Sequence, residues 1–185
     1  MQNLPIIQIE GDLKLREIDP NSELDYFYSI IVANKNFFQS VEFSGADVNS
    51  KEQALELLLK GESAKKEGTG ARFGLWQGRE LLGQFNVFEL KKEHRKAQVG
   101  YWLSQKYSGK GYASKALSSL VKYAFKDLVL HRLEATTAIT NQSSIRLLER
   151  IGFRREGLLR EAFWTCGKFV DDYLYALLAT DKVGI

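Results

Sequence analysis

From Ala113 to Leu128 apolar residues recur at Ala113, Ala116, Leu117, Leu120, Val121, Ala124, Phe125 and Leu128. That i, i+3, i+4, i+7 spacing lays them along one face of an amphipathic helix. Directly before it stands Tyr107-Ser108-Gly109-Lys110-Gly111-Tyr112, and before that the apolar run Val99-Gly100-Tyr101-Trp102-Leu103. A strand, a two-glycine loop and a helix in succession constrain the fold more than any other feature of the chain. The glycines let the backbone turn tightly and leave the main chain bare for a ligand. The helix start adds unpaired N–H groups and the positive end of a dipole. Together these suit a phosphate or pyrophosphate.

Residue identity excludes two familiar phosphate loops. The Walker pattern G-x-x-x-x-G-K-[ST] requires glycine where Ser104 stands and a hydroxyl where Gly111 stands. The dinucleotide pattern G-x-G-x-x-G requires its third glycine at Ser114.

The rest of the chain reads as an alternation of strands and helices. Leu13 and Leu15 suggest a short opening strand, and Asp19-Pro20 a helix start capped by the aspartate. Ser50-Lys51-Glu52-Gln53 fits a capping box before a helix through Leu55 and Leu58. Phe73–Trp76 and Leu81–Leu90 flank a hairpin turn at Gln77–Glu80. Leu133–Ile139 is strand-like, Ile145–Ile151 a short helix stopped at Gly152, and Leu159–Thr165 with Val170–Ala179 a second hairpin around Cys166-Gly167. The order β-α-α-β-β-β-α-β-α-β-β predicts an α/β (α+β) fold, a sheet of mixed direction with helices on its faces.

Length and composition narrow the class. A chain of 185 residues fits one domain spanning 1–185. Hydrophobic residues at 44% and charged residues at 26% exclude a disordered chain and a collagen-like one. The single cysteine, Cys166, excludes an intrachain disulfide framework, and His94 and His131 lack spaced partners, so no metal site is expected. No run approaches the ~18 apolar residues of a membrane span. Met1-Gln2-Asn3-Leu4-Pro5 lacks a secretory pattern, so the expected compartment is cytoplasmic. A net charge of +3 is weak ground for nucleic acid, and Lys91–Lys96, interrupted by Glu93, reads as a solvated loop.

Four pieces then stand in order: the Gly100-Tyr101-Trp102-Leu103 strand, the Gly109-Lys110-Gly111-Tyr112-Ala113 loop, the Asn141-Gln142-Ser143-Ser144 turn, and Gly152-Phe153 after the next helix. In that order and spacing the chain resembles the GNAT superfamily of acyl-CoA-dependent N-acyltransferases. Within it the likeness is to the RimJ/RimL branch of ribosomal-protein N-terminal acetyltransferases. The resemblance covers roughly Leu13 to Ala179. It implies a GNAT fold, a mixed, mostly antiparallel sheet splayed at the acetyl-CoA site. It implies that Tyr101, Trp102 and Leu103 bind the pantetheine arm and that Ser108, Gly109, Lys110, Gly111, Tyr112, Ala113 and Ser114 hold the pyrophosphate. It implies that Asn141 and Ser144 meet the cofactor near its sulfur, with Ser144 protonating the thiolate.

The chain departs from the pattern at four positions. Ser108 stands where glutamine or arginine usually opens the loop, and Leu148 where many members carry a tyrosine acid. Gln98 and Phe163 stand where relatives carry acidic residues. Glu134 and Glu161 are candidate bases in their stead, with Glu89 a third carboxylate. The missing base bears on the acceptor. An α-amine, with a pKa of about 7.7–8.0, is partly neutral at pH 7, whereas a lysine amine at about 10.4 is almost wholly charged. The expected reaction is acetyl transfer to a protein N-terminal α-amine. The alternatives are a small-molecule amine acetyltransferase acting on a polyamine, amino acid or aminoglycoside, and a non-catalytic acyl-CoA-binding sensor. Expected partners are the amine substrate alone, with neither nucleic acid nor membrane, in a monomer or homodimer.

Overall fold

The structure, a computed structural model, describes residues 4–182; Met1, Gln2 and Asn3 of the N-terminal segment weighed above lie outside them. The elements run β1 (Ile7–Glu10), β2 (Leu13–Arg16), α1 (Leu24–Ala33), α2 (Lys35–Ser40), α3 (Lys51–Glu67), β3 (Ala71–Gln77), β4 (Glu80–Lys91), β5 (Lys96–Leu103), α4 (Tyr112–Lys126), β6 (Arg132–Ala138), α5 (Gln142–Ile151), β7 (Arg154–Thr165) and β8 (Lys168–Leu178). The strands form a single sheet in the order β1-β2-β3-β4-β5-β6-β8-β7.

Every neighbouring pair is antiparallel except β5 and β6. Those two run parallel and pair only at Lys96↔Arg132, Ala97↔Leu133 and Gln98↔Glu134. Beyond Gln98, β5 stays with β4 as far as Leu103, and β6 stays with β8 as far as Ala138. The sheet therefore splits into a wedge with Gln98 and Glu134 at its apex. Among the described residues, main-chain groups of β5 past the apex have no strand partner on the β6 side, so they are open to a ligand.

Each face of the sheet carries its own core. On one, Leu117, Leu120 and Val121 of α4 and Leu148 and Ile151 of α5 pack on Val99, Leu133, Ala135 and Tyr175, all buried. On the other, Phe27, Ile31, Phe38 and Leu58 from α1, α2 and α3 cover Trp76, Leu81 and Trp102. Buried Asn34 joins the α1–α2 corner to the end of β5: its side-chain amide donates to Ser104 Oγ at 3.0 Å, and its Oδ1 accepts the Gln105 N–H at 2.8 Å. This anchor sets α2 beside the mouth of the wedge.

The strongly periodic elements form where the sequence predicts them, and the local chemistry explains the rest. Ser50 Oγ accepts the Gln53 N–H at 3.3 Å at the start of α3, and Gln53 Oε1 reaches back to the Asn49 N–H at 2.6 Å. Gly152 stops α5 in the left-handed region, at φ 110°. The Asp19-Pro20 helix start is corrected: α1 begins at Leu24, with Glu23 at its N-cap. Asp19 instead accepts the Asn21 N–H at 2.9 Å and the Ser22 hydroxyl at 2.6 Å, closing a local turn that competes with a helix. Two elements, β1 and α2, have no counterpart in the predicted order; each is too short to display a period. Among the described residues no helix is long and apolar enough to cross a membrane.

Candidate active site

A cavity of about 310 Å³ occupies the wedge. Its walls come from the end of β5 (Tyr101, Trp102, Leu103), the loop into α4 (Tyr107, Ser108, Gly109, Gly111, Tyr112, Ala113, Ser114) and the start of α5 (Asn141, Ser143, Ser144, Arg146, Leu147, Arg150). Phe37, Phe38, Val41 and Phe43 close it from α2 and the turn beyond.

The loop has the form an anion needs. Gly109 and Gly111 sit at φ 76° and 81°, a region that side chains rarely adopt. A Cβ built on either would meet no protein atom within 4 Å, so the space beside them is free for a ligand. Gly111 is the N-cap of α4 and offers no side-chain cap to the helix. The first-turn N–H groups of Tyr112, Ala113 and Ser114 thus have no intrahelical acceptor, and the helix dipole reinforces their pull on an anion. Lys110 is the one predicted cofactor residue outside the wall; its ammonium lies 5.8 Å from the Tyr107 ring centroid.

The second helix start faces the first across the wedge. Asn141 caps α5, with Oδ1 accepting the Ser144 N–H at 3.1 Å and the Ser143 hydroxyl at 2.8 Å. The cap and a cofactor contact are compatible, because the cap uses only the carboxamide oxygen. Ser144 Oγ lies 2.9 Å from the Tyr101 hydroxyl. The Tyr101 ring stacks on Phe85 with centroids 5.7 Å apart. Burial pushes the Tyr101 phenol pKa well up, and the hydrogen bond to Ser144 only partly offsets it. Leu148 is fully buried in the core and brings no hydroxyl to the cavity.

None of the three carboxylates weighed as bases is on the cavity wall. Glu134 accepts from Arg132 Nε at 2.8 Å and from Lys96 Nζ at 3.3 Å. Burial works to raise its pKa, but the Arg132 and Lys96 hydrogen bonds outweigh it and hold the carboxyl below its ordinary range. Glu161 sits exposed in a bulge of β7 at φ 49°, its N–H donating to Asp171 Oδ1 at 2.7 Å. Glu89 accepts from Gln98 Nε2 at 2.8 Å, which holds it beside the wedge apex, and it has no cationic partner among the described residues. Arg146 and Arg150 escaped the sequence reading. They are i, i+4 neighbours on α5 without an acidic partner among the described residues, and the signal for them was the helix opened by Asn141. No group of three or more metal-ligating side chains occurs among the described residues.

A mixed sheet split between two parallel strands, with a bare glycine loop and a helix N-terminus in the split, defines a GNAT-type acyltransferase. The acetyltransferase (GNAT) domain family matches residues 12–154, and the chain belongs to it. Membership makes it an N-acetyltransferase with acetyl-CoA as donor. An uncharacterized N-acetyltransferase of Bacillus licheniformis is 33% identical over 134 residues, covering 71% of this chain and 75% of the relative. The ribosomal-protein-serine acetyltransferase of Escherichia coli is 25% identical over 170 residues, covering 92% and 94%. A ribosomal L7/L12 alpha-N-protein acetyltransferase solved in complex with coenzyme A shares the fold, with a TM-score of 0.86 at 22% identity over 94% of this chain and 98% of that one.

Proposed function

We propose that the chain acetylates the α-amine of a protein N-terminus, with a ribosomal-protein-like acceptor, by direct attack of the amine on the thioester. The observation that carries the choice of amine is the state of the carboxylates. Glu134 is committed to Arg132 and Lys96, and neither Glu161 nor Glu89 lines the cavity. An amine that is already partly neutral near pH 7 needs no strong base, and the α-amine meets that condition. The name borne by the Escherichia coli relative, a ribosomal-protein-serine acetyltransferase, supports the same acceptor class.

The bound donor supplies the thioester carbonyl that the amine attacks. First-turn amides of α4 with Gly109 and Gly111 hold its pyrophosphate. Open main-chain groups of β5 between Gly100 and Leu103 align the pantetheine arm and offer an N–H to the developing oxyanion. The Ser144 hydroxyl donates to the sulfur as the thiolate leaves. Residues 1–185 are read as one domain acting in the cytoplasm. The unbroken strand order from β1 to β7 supports the first point and the ribosomal acceptor class the second.

The test is acetyl-CoA-dependent thiol release against peptides with free N-termini, internal-lysine peptides, polyamines and aminoglycosides, followed across neutral pH. Turnover on free N-termini, rising gently with pH, is the expected result. Efficient lysine or polyamine acetylation with a sharp pH optimum would replace this acceptor, and tight coenzyme A binding without turnover would favour a sensor.

A further inference from the structure

Tyr101 and Ser144 reach each other from opposite edges of the wedge, one from β5 and the other from the first turn of α5. Both side chains line the cavity. With 2.9 Å between the two oxygens, one hydroxyl donates and the other keeps its own proton for a different acceptor. A phenol is a stronger acid than an alkyl alcohol, and its oxygen lone pairs are drawn into the ring. The contact geometry admits either direction, and on relative acidity Tyr101 is assigned as the donor and Ser144 as the acceptor. Burial disfavours the tyrosinate, so Tyr101 stays a neutral phenol that keeps its proton to donate.

The pair is held from both ends. Phe85 stacks on the Tyr101 ring, and the Asn141 cap fixes the backbone of Ser144. With Tyr101 as donor, the Ser144 O–H is left for another acceptor, and Ser144 lines the cavity. We propose that Tyr101 is a positioning residue that turns the Ser144 hydroxyl toward the sulfur of bound coenzyme A and polarises it. This rests on the reading that Ser144 meets that sulfur. In the transfer the amine nitrogen bonds to the carbonyl carbon, the carbon–sulfur bond breaks, and its electron pair goes to sulfur. The proton shed by the amine returns to sulfur through solvent, so neither hydroxyl is consumed. Ser144 gives the thiolate a hydrogen bond, and the positive end of the α5 dipole acts in the same direction.

The arrangement has a consequence that needs no turnover. A hydroxyl aimed at the sulfur favours its thiolate form, so the thiol of bound coenzyme A should titrate below that of the free cofactor. Among the described residues the cavity wall holds no histidine, cysteine or carboxylate; its ionisable side chains are Tyr101, Tyr107, Tyr112, Arg146 and Arg150. Thiolate absorbance of the coenzyme A complex across pH, with calorimetric binding alongside, reads that titration. The proteins to compare are the wild type, Tyr101→Phe, Ser144→Ala and the double variant.

Each single variant should raise the bound thiol's pKa by about one unit and lower kcat roughly tenfold, the worth of one hydrogen bond, with KM for acetyl-CoA unchanged. The double variant should be no worse than Ser144→Ala alone. A fluorinated tyrosine at position 101, which keeps the hydroxyl, should retain both readouts, and it decides the matter if Tyr101→Phe fails to fold. If Ser144→Ala shifts both readouts while Tyr101→Phe shifts neither, Tyr101 does not position Ser144 and the role of Ser144 stands. Additive losses in the double variant overturn the positioning role as well. If Ser144→Ala changes nothing, the reading of Ser144 falls and this inference falls with it.

Discussion

The two sides of the wedge are made of different material. The proposed cofactor side is main chain and helix ends: Gly109, Gly111, the first turn of α4, and the Asn141 cap of α5. The proposed acceptor side is side chain: Phe37 and Phe43 beyond α1 on the cavity wall, and, outside that wall, a β7–β8 hairpin that exposes Leu159, Phe163, Trp164 and Phe169. Backbone amides recognise a phosphate whatever side chains surround them, so that half needs only glycines and caps in the right order. Aromatic and apolar side chains recognise one acceptor at a time, and no fixed pattern marks them. The two halves are nonetheless tied together. Glu42, just past α2, accepts from Thr140 before α5 and pairs with Lys168 at the start of β8, each at 2.5 Å.

The sharpest way to break this comparison is to put a branched side chain into the loop. Gly111→Val places a Cβ at φ 81°, in the space the cofactor would approach. Losing two charge-assisted hydrogen bonds to phosphate should weaken coenzyme A binding by roughly a hundredfold or more. The left-handed backbone should also cost about 1–2 kcal/mol of stability. Calorimetry and thermal melting separate the two effects. A Gly111→Val protein that binds coenzyme A normally would show that backbone approach is not what the loop provides.

Arg146 and Arg150 test how far the cofactor half extends into side chains. Both are exposed on the rim of the cavity. Replacing both with alanine should raise KM for acetyl-CoA about tenfold, leave kcat unchanged, and flatten the dependence of KM on salt. An unchanged KM at low ionic strength would return the pair to the solvated face of α5.

What was legible in the sequence follows the same division. The loop and α4 were readable because paired glycines and a sustained period of 3.6 are local signals, and so was α5, from its cap and its glycine stop. The wedge was not readable from spacing. It depends on where β5 stops pairing with β6, and the strands are separated by the whole of α4. The Tyr101–Ser144 contact spans 43 residues, so no local pattern announces it. The commitment of Glu134 was equally hidden. Arg132 lies two residues away, but Lys96 arrives from a neighbouring strand. On the acceptor side, Phe37 and Phe38 looked alike in the sequence. Both line the cavity, but the fold divides them by burial: Phe38 is core at 1% exposure, and Phe37 remains half-buried.

That division gives a sharper probe of the acceptor half. Phe37→Ala removes an aromatic wall without opening the deep core. It should lower kcat/KM for peptide acceptors by several-fold, roughly the worth of part of a buried aromatic, and leave coenzyme A affinity unchanged. Phe38→Ala, by contrast, should cost about 3–5 kcal/mol of stability. If Phe37→Ala weakens coenzyme A binding instead, α2 belongs to the cofactor half, and the boundary between the halves moves.

The smallest expected effect concerns Glu134, at the apex where the halves meet. Its folded-state pKa is lowered: burial opposes, but Arg132 and Lys96 prevail. A depressed carboxylate pKa means that the stabilising contribution is full above the unfolded value, near ~4.3, and is lost as pH falls through the folded value. Glu134→Gln should therefore cost about 1 kcal/mol at neutral pH, and the difference from wild type should vanish in acid. Denaturant unfolding at neutral and at acidic pH measures it. The pH–rate profile separates this structural part from catalysis: a base would carry its own titration into kcat/KM, whereas an ion-paired carboxylate leaves the profile in place. A Glu134→Gln enzyme that loses the rising limb of its profile would return Glu134 to the chemistry. The acceptor side would then have a charged group of its own, and the preference for a low-pKa amine would lose its physical basis.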